Sequence, residues 1–169
     1  MAPLPRPLGT VRQAPLRVGV LSDTHGLLRP EARAFLSGCD YIVHGGDIGG
    51  RAIFDALSGL APTIAVRGNN DSDSWGRGLR ETELFRIGGL FLYAIHDLKA
   101  LPRDTLAGGV RVIISGHSHQ PLQVERNGVL YFNPGSCGPR RFRLPVSIGE
   151  LLIHDDHVAA RLVELDSAR

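Results

Sequence analysis

Cysteine is almost absent: two residues, Cys39 and Cys137, in a chain of 169. A pair this sparse and this far apart makes neither a thiolate metal site nor a disulfide framework, so a reducing cytoplasm is the default location. Long apolar runs are also missing. No stretch reaches the roughly 18 residues of a membrane span, which excludes a transmembrane helix. Charge of one sign is not in excess either, since the formal net charge is +2; that gives no strong signal for nucleic acid or an anionic membrane. The first 17 residues carry three arginines and four prolines but no apolar core. They do not read as a secretory signal, and without serine they fit a transit peptide poorly.

What is present is an ordinary globular composition, 43% hydrophobic and 21% charged, in a length suited to a single domain. We expect a flexible lead-in over residues 1–15 and one domain over 16–169. Buried-type apolar runs mark strands at "LRVGVLS", "YIVH" and "TIAV". Between them "PEARAFL" and "GRAIFDALSGL" read as helices. Strand, helix, strand, helix, strand implies parallel pairing in an α/β layer. The second half changes character. "TELFRIGGLFLYAIH" is a hairpin on Gly88-Gly89, "LQVERNGVLYFN" one on Asn127-Gly128, and two further strands turn near Asp155-Asp156. "LKALPRDTLAG" is expected to be helical, broken or started by Pro102, and "VRVIIS" to be another buried strand.

The strands end alike. "SDTHG", "HGGD", "RGNND", "AIHD" and "SGHSH" each follow an apolar run. In open α/β sheets ligands bind beyond the carboxyl ends of the strands, so these clusters should meet at one edge. Together they offer Asp23, His25, Asp47, Asn69, Asn70, Asp71, His96, His117 and His119. Carboxylate, imidazole and amide oxygen suit borderline and hard divalent ions. In "DTH" and "HSH" the i, i+2 spacing would send two side chains from one face of an extended segment. Any one of these motifs occurs by chance; five in order, each at a strand end, do not.

The series "DTH", "GGD", "GNND", "IH" and "GHSH", with "NPGSCGPR" after it, resembles the calcineurin-like metallophosphoesterases, in their small single-domain prokaryotic phosphodiesterase branch. The resemblance implies an α/β fold of two mixed β-sheets packed as a sandwich with helices on the outer faces. It implies two divalent ions, Mn²⁺ first and Fe, Zn²⁺ or Ni²⁺ as alternatives. Asp23, His25, Asp47 and His119 would hold one ion; Asp47, Asn69, His96 and His117 would hold the other. A hydroxide bridging them would attack phosphorus in line. The implied partner is a small phosphoester, without a membrane and with room for a homo-oligomer.

One departure bears on catalysis. Where the family carries a histidine able to protonate the leaving group, this chain has Asn70, which has no proton to give near neutral pH. Diesters and activated aryl esters should therefore be favoured over alkyl monoesters. Asn70 and Asp71 are the residues assigned to catalysis: Asn70 would still hydrogen-bond a phosphoryl oxygen, and Asp71 would orient the loop or its neighbours. Arg140 and Arg141 either clamp a phosphate or form a solvated basic loop. Asp97 replaces a common glycine; it is a partner of a ligand histidine or simply solvated. His44 is assigned to packing or to supporting a ligand, and His154 and His157 to the surface. The competing reading is a degenerate member serving as a metal-binding scaffold for protein interaction.

Overall fold

The computed structural model describes residues 14–165. The lead-in expected over 1–15 thus lies outside the described residues, apart from Ala14 and Pro15.

The first half folds as its alternation predicts. β1 (Leu16–Leu21), β2 (Tyr41–His44) and β3 (Thr63–Ala65) are joined by α1 (Pro30–Leu36) and α2 (Arg51–Ser58). The strands pair in parallel, β1 with β2 and β2 with β3. Pro30 occupies the first turn of α1, where its missing N–H costs no helical bond. The second half supplies β4 (Thr82–Ile87), β5 (Leu90–Ile95), β6 (Val110–Ile114), β7 (Leu122–Arg126), β8 (Val129–Asn133), β9 (Ser147–His154) and β10 (His157–Glu164). β9 and β10 return to the first sheet, β9 antiparallel to β1 and β10 antiparallel to β9, giving the order β10-β9-β1-β2-β3. The other five strands form a second mixed sheet, β4-β5-β6-β8-β7. At the β7–β8 turn Asn127 and Gly128 both have positive φ, 52° and 77°, the geometry that Asn-Gly favours in two-residue hairpins.

The sheets pack face to face as a sandwich. Val18, Val20, Val43, Leu151 and Ile153 of the first sheet meet Leu92, Val112, Ile114 and Phe132 of the second in one buried cluster. Each fully buried aliphatic side chain of this kind contributes about 1.5–3 kcal/mol. Leu36 of α1 and Leu57 of α2 cover the outer face of the first sheet, against Leu21, Ile42 and Ile148. The outer face of the second is closed differently. The helix expected over 98–108 is replaced by two 3-10 turns, Leu98–Ala100 and Thr105–Gly108. Pro102 lies between them and can neither donate an N–H nor tolerate the preceding helical turn. Leu98 and Leu101 still reach Ile95, Val110 and Ile113, so the apolar pattern is satisfied without an α-helix.

Candidate metal centre

β1, β2, β3, β5 and β6 all deliver their carboxyl ends to one edge of the sandwich. Asp23 and His25 follow β1, Asp47 follows β2, and Asn69 to Asp71 follow β3. His96 follows β5, and His117 and His119 follow β6. The first sheet thus supplies the carboxylates and the amide, and the second supplies most of the imidazoles.

The way the pairs converge differs from expectation. Asp23, His25, Asp47, His117 and His119 all have left-handed φ, between 46° and 70°. "DTH" and "HSH" are therefore not extended segments; each turns twice through a conformation that disfavours most side chains. Such backbone is held by surrounding structure and gathers at functional sites. The restraint is visible. Asp23, His25 and Gly26 donate N–H groups to the carbonyls of Gly46, Asp47 and Ile48 at 2.9–3.0 Å. Asp71 is buried, and its carboxylate accepts from the N–H groups of Gly68 (2.9 Å), Ile48 (2.9 Å) and Gly49 (3.2 Å). Both its oxygens are committed to the backbone, which favours the orienting role. Gly68 is required: a Cβ there would collide with the carboxylate and backbone nitrogen of Asp47.

Two groups of donors result. Asp23 Oδ1 lies 3.2 Å from His119 Nε2 and 3.8 Å from His25 Nε2, and the two imidazole nitrogens are 3.3 Å apart. His25 Nε2 is also 3.8 Å from Asp47 Oδ2. In the second group Asn69 Oδ1 lies 3.0 Å from His96 Nε2 and 3.1 Å from His117 Nδ1. His96 Nε2 is 3.4 Å from Asp47 Oδ2. Asp47 belongs to both. Donors about 2.0–2.2 Å from a common ion stand roughly 3 Å apart, so these spacings fit cations.

Chemistry supports the fit independently. Asp23 Oδ2 accepts from Ser22 Oγ (2.7 Å) and the His117 N–H (3.1 Å), whereas its buried Oδ1 accepts no hydrogen bond. His96 Nδ1 donates to the Gly45 carbonyl at 2.7 Å. In the neutral ring the Nε2 lone pair then faces the oxygens of Asn69 and Asp47. Acceptors converging in this way repel one another unless a positive charge, a metal ion or a proton on His96, sits among them.

Electrostatics agree. Burial lowers the proton affinity of His25 and His119, with the Arg141 charge adding to the effect, and so keeps both rings in the neutral, ligating form. Burial raises Asp23. It would raise Asp47 too, but hydrogen bonding with His96 and Asn70 outweighs it and holds that carboxyl well below the usual range. His96 is raised, because its bonds to Asp47 and the Gly45 carbonyl overcome burial.

The remaining candidates divide. Asn70 is exposed beside the shared carboxylate: its backbone N–H donates to Asp47 Oδ1 (2.8 Å) and its amide to Asp47 Oδ2 (2.9 Å). Arg140 and Arg141 are exposed and form no ion pair among the described residues. Their loop is nonetheless stitched to the site, through Ser136 Oγ to the Asp23 carbonyl (3.0 Å) and Arg29 Nε to the Gly138 carbonyl (3.1 Å). Asp97 caps the first 3-10 turn. His154 and His157 pair with Asp155 and Asp156 around the last hairpin. Cys137 is fully buried and its thiol is pushed up to about 12, which removes it as a nucleophile.

His44 has the supporting role expected of it, whereas its partner Thr24 and the role of Asn133 were missed from sequence. His44 Nδ1 accepts from the Gly46 N–H (3.1 Å), and its Nε2 lies 2.9 Å from Thr24 Oγ1, which donates to the Ile48 carbonyl (2.7 Å). Asn133 donates to the Gly116 carbonyl (2.9 Å) and to Ser118 Oγ (3.1 Å), fixing the "GHSH" turn. The only local signal for these was polarity where a buried strand should still be apolar.

A two-sheet α/β sandwich with carboxylates and imidazoles gathered at its strand ends has the form of a metal-dependent hydrolase. The chain belongs to the calcineurin-like phosphoesterase superfamily, whose domain model matches residues 16–156; it is a metallophosphoesterase. It is 34% identical to a probable metallophosphoesterase of Methanocaldococcus jannaschii, over 88% of this chain and 81% of that protein. It is 29% identical to a phosphodiesterase of Escherichia coli K12, over 77% and 84%. Its fold matches that of vacuolar protein sorting 29 from Cryptosporidium parvum with a TM-score of 0.77 at 19% identity, covering 93% and 95% of the two chains. Among the described residues no helix is long and apolar enough to cross a membrane.

Proposed function

We propose that the chain hydrolyses phosphodiesters at a pair of divalent ions that share Asp47. Asp23, His25, Asp47 and His119 would hold one ion, and Asp47, Asn69, His96 and His117 the other. The observation that carries the reading is the convergence of ligand-competent atoms on the buried, orphaned Asp23 Oδ1, with His119 Nε2 3.2 Å and His25 Nε2 3.8 Å from it. The mixed oxygen and nitrogen donors suit Mn²⁺, Fe, Zn²⁺ and Ni²⁺ alike, and Mn²⁺ is the first to test. When bound, such a pair supplies charge neutralisation at the phosphoryl oxygens and an acidified water.

The protein groups set what else is available. Asn70, anchored by its backbone N–H on Asp47, can turn its amide from that carboxylate to a phosphoryl oxygen. It cannot protonate a leaving alkoxide. Arg141, whose charge is felt at His25 and His119, adds positive potential on that flank, with Arg140 beside it in sequence. Without a general acid, a stable leaving group matters most. Phosphodiesterases among the relatives support diesters as the substrates.

The test is turnover of bis(p-nitrophenyl) phosphate with added Mn²⁺, together with metal analysis. Two ions per chain are expected, with activity abolished by EDTA and by Asp47→Ala. Two bound ions and no turnover of any phosphoester would instead support a metal-binding scaffold.

A further inference from the structure

A cavity of about 610 Å³ opens beside the second donor group, where Asn69, His96 and His117 line it. Its size falls within the roughly 300–1,000 Å³ of clefts that enclose whole organic ligands. A phosphoryl group carrying small alkyl substituents would leave most of it to water. Ile95, Ala100 and Pro102 contribute an apolar wall, the kind of surface against which a flat or puckered ring packs.

The charged groups around this space are largely spoken for. Arg67 pairs with Glu81 and donates to the Arg77 carbonyl at 3.3 Å. Asp71 is saturated by three backbone N–H groups. Arg77 is anchored through Nε to the Ser72 carbonyl at 2.7 Å, which leaves its terminal nitrogens as donors to a ligand oxygen. Asp97 differs. It follows the donor His96 directly, lines the cavity, and accepts through Oδ1 from the Lys99 N–H at 3.0 Å. Its other oxygen is available to a ligand. A carboxylate at that point accepts from hydroxyl groups and repels a second anion.

We propose that this cavity selects the substrate: it holds one arm of the diester, an uncharged, hydroxyl-bearing group with a ring and the size of a nucleoside, whose hydroxyl hydrogen-bonds Asp97. The inference rests on the phosphodiester reading above and goes on to name the substrate class. Asp97 is then a specificity residue, and the place where the family commonly has glycine becomes informative.

Three esters with the same leaving group test it on the manganese-loaded enzyme: methyl p-nitrophenyl phosphate, thymidine 5′-(p-nitrophenyl phosphate), and the latter phosphorylated at its 3′ oxygen. Loss of one charge-assisted hydrogen bond corresponds to about tenfold in affinity. We therefore expect KM for the thymidine ester to lie at least about tenfold below that for the methyl ester. Asp97→Ala should raise the thymidine KM about tenfold while kcat changes little. Asp97→Asn, which keeps both the turn cap and an acceptor oxygen, should retain most of the preference. Ala100→Phe, which fills the cavity away from the donors, should abolish it. Equal KM values for the first two esters, or a lower KM for the 3′-phosphorylated one, would overturn the proposal. If none of the three esters is hydrolysed, the phosphodiester reading fails instead. Calorimetric binding of thymidine 5′-monophosphate against inorganic phosphate then still tests the cavity, with no preference counting against it.

Discussion

His44 makes a prediction in which magnitude and sign both follow from geometry. The ring is completely buried at the end of β2. Because the Gly46 N–H donates to Nδ1, the neutral ring carries its proton on Nε2 and donates it to Thr24 Oγ1. A second proton has nowhere to go without breaking the Gly46 bond, and burial opposes the charge. The proton affinity accordingly drops from the ordinary 6.5 to about 3. Above pH 6.5 neither folded nor unfolded chain binds this proton, and the group contributes no pH dependence. Below it the unfolded chain takes a proton that the folded chain refuses, so stability falls by about 1.4 kcal/mol per pH unit until about pH 3. At pH 5 the loss is about 2 kcal/mol. Other groups titrate too, and a difference measurement removes them: urea unfolding of the wild type and His44→Gln, both in EDTA, at pH 7.5 and 5.0. The variant should be less stable at pH 7.5, by about 1–3 kcal/mol for the lost hydrogen bonds. That gap should narrow by about 2 kcal/mol at pH 5.0. An unchanged gap, or a His44 ring signal titrating near 6.5 by NMR, would refute the reasoning.

Two other outcomes are expected. Asn70→His should restore a proton donor beside Asp47 and raise the hydrolysis of esters with alkyl leaving groups about 10²-fold, with little effect on p-nitrophenyl esters; a flatter dependence of rate on leaving-group pKa is the readout, and an unchanged slope would be contrary. Gly68→Ala forces a methyl group onto Asp47 and should cost about 1–3 kcal/mol. The same variant should bind less Mn²⁺ by metal analysis, since the displaced carboxylate is the one both donor groups share.

Much of the site was legible because strand topology is written in local patterns. An apolar run ending in "DTHG" or "GHSH" fixes both the strand and the edge at which its polar end emerges, and the five ends meet where that rule puts them. Hairpins on Gly88-Gly89 and Asn127-Gly128 were equally local. What escaped was either conformational or distant. Nothing in "DTH" announces that Asp23 and His25 both turn left-handed; the carbonyls that force it come from Gly46, Asp47 and Ile48, more than twenty residues away. The partners through which His44, Asn133 and Ser136 give support come together only after the strands pair. The stretch 98–108 failed for the opposite reason: its leucines satisfy helical periodicity, but Pro102 prevents an unbroken helix, and Leu98 and Leu101 pack from short turns.

The division of donors between the sheets has a consequence for assembly. Over most of the sandwich the sheets adhere through side chains such as Val20, Val112 and Phe132, a contact tolerant of small slips. At the donor edge there is no such tolerance. Asp23, Asp47 and Asn69 arrive on one sheet, His96, His117 and His119 on the other, and directional bonds such as His117 N–H to Asp23 Oδ2 and His96 Nδ1 to the Gly45 carbonyl join the two. A sheet displaced by one residue would present a backbone group or the wrong side chain to its opposite number. On the proposed two-ion reading, metal uptake is therefore an inspection of tertiary alignment, passed only by chains whose two halves have docked in the correct register.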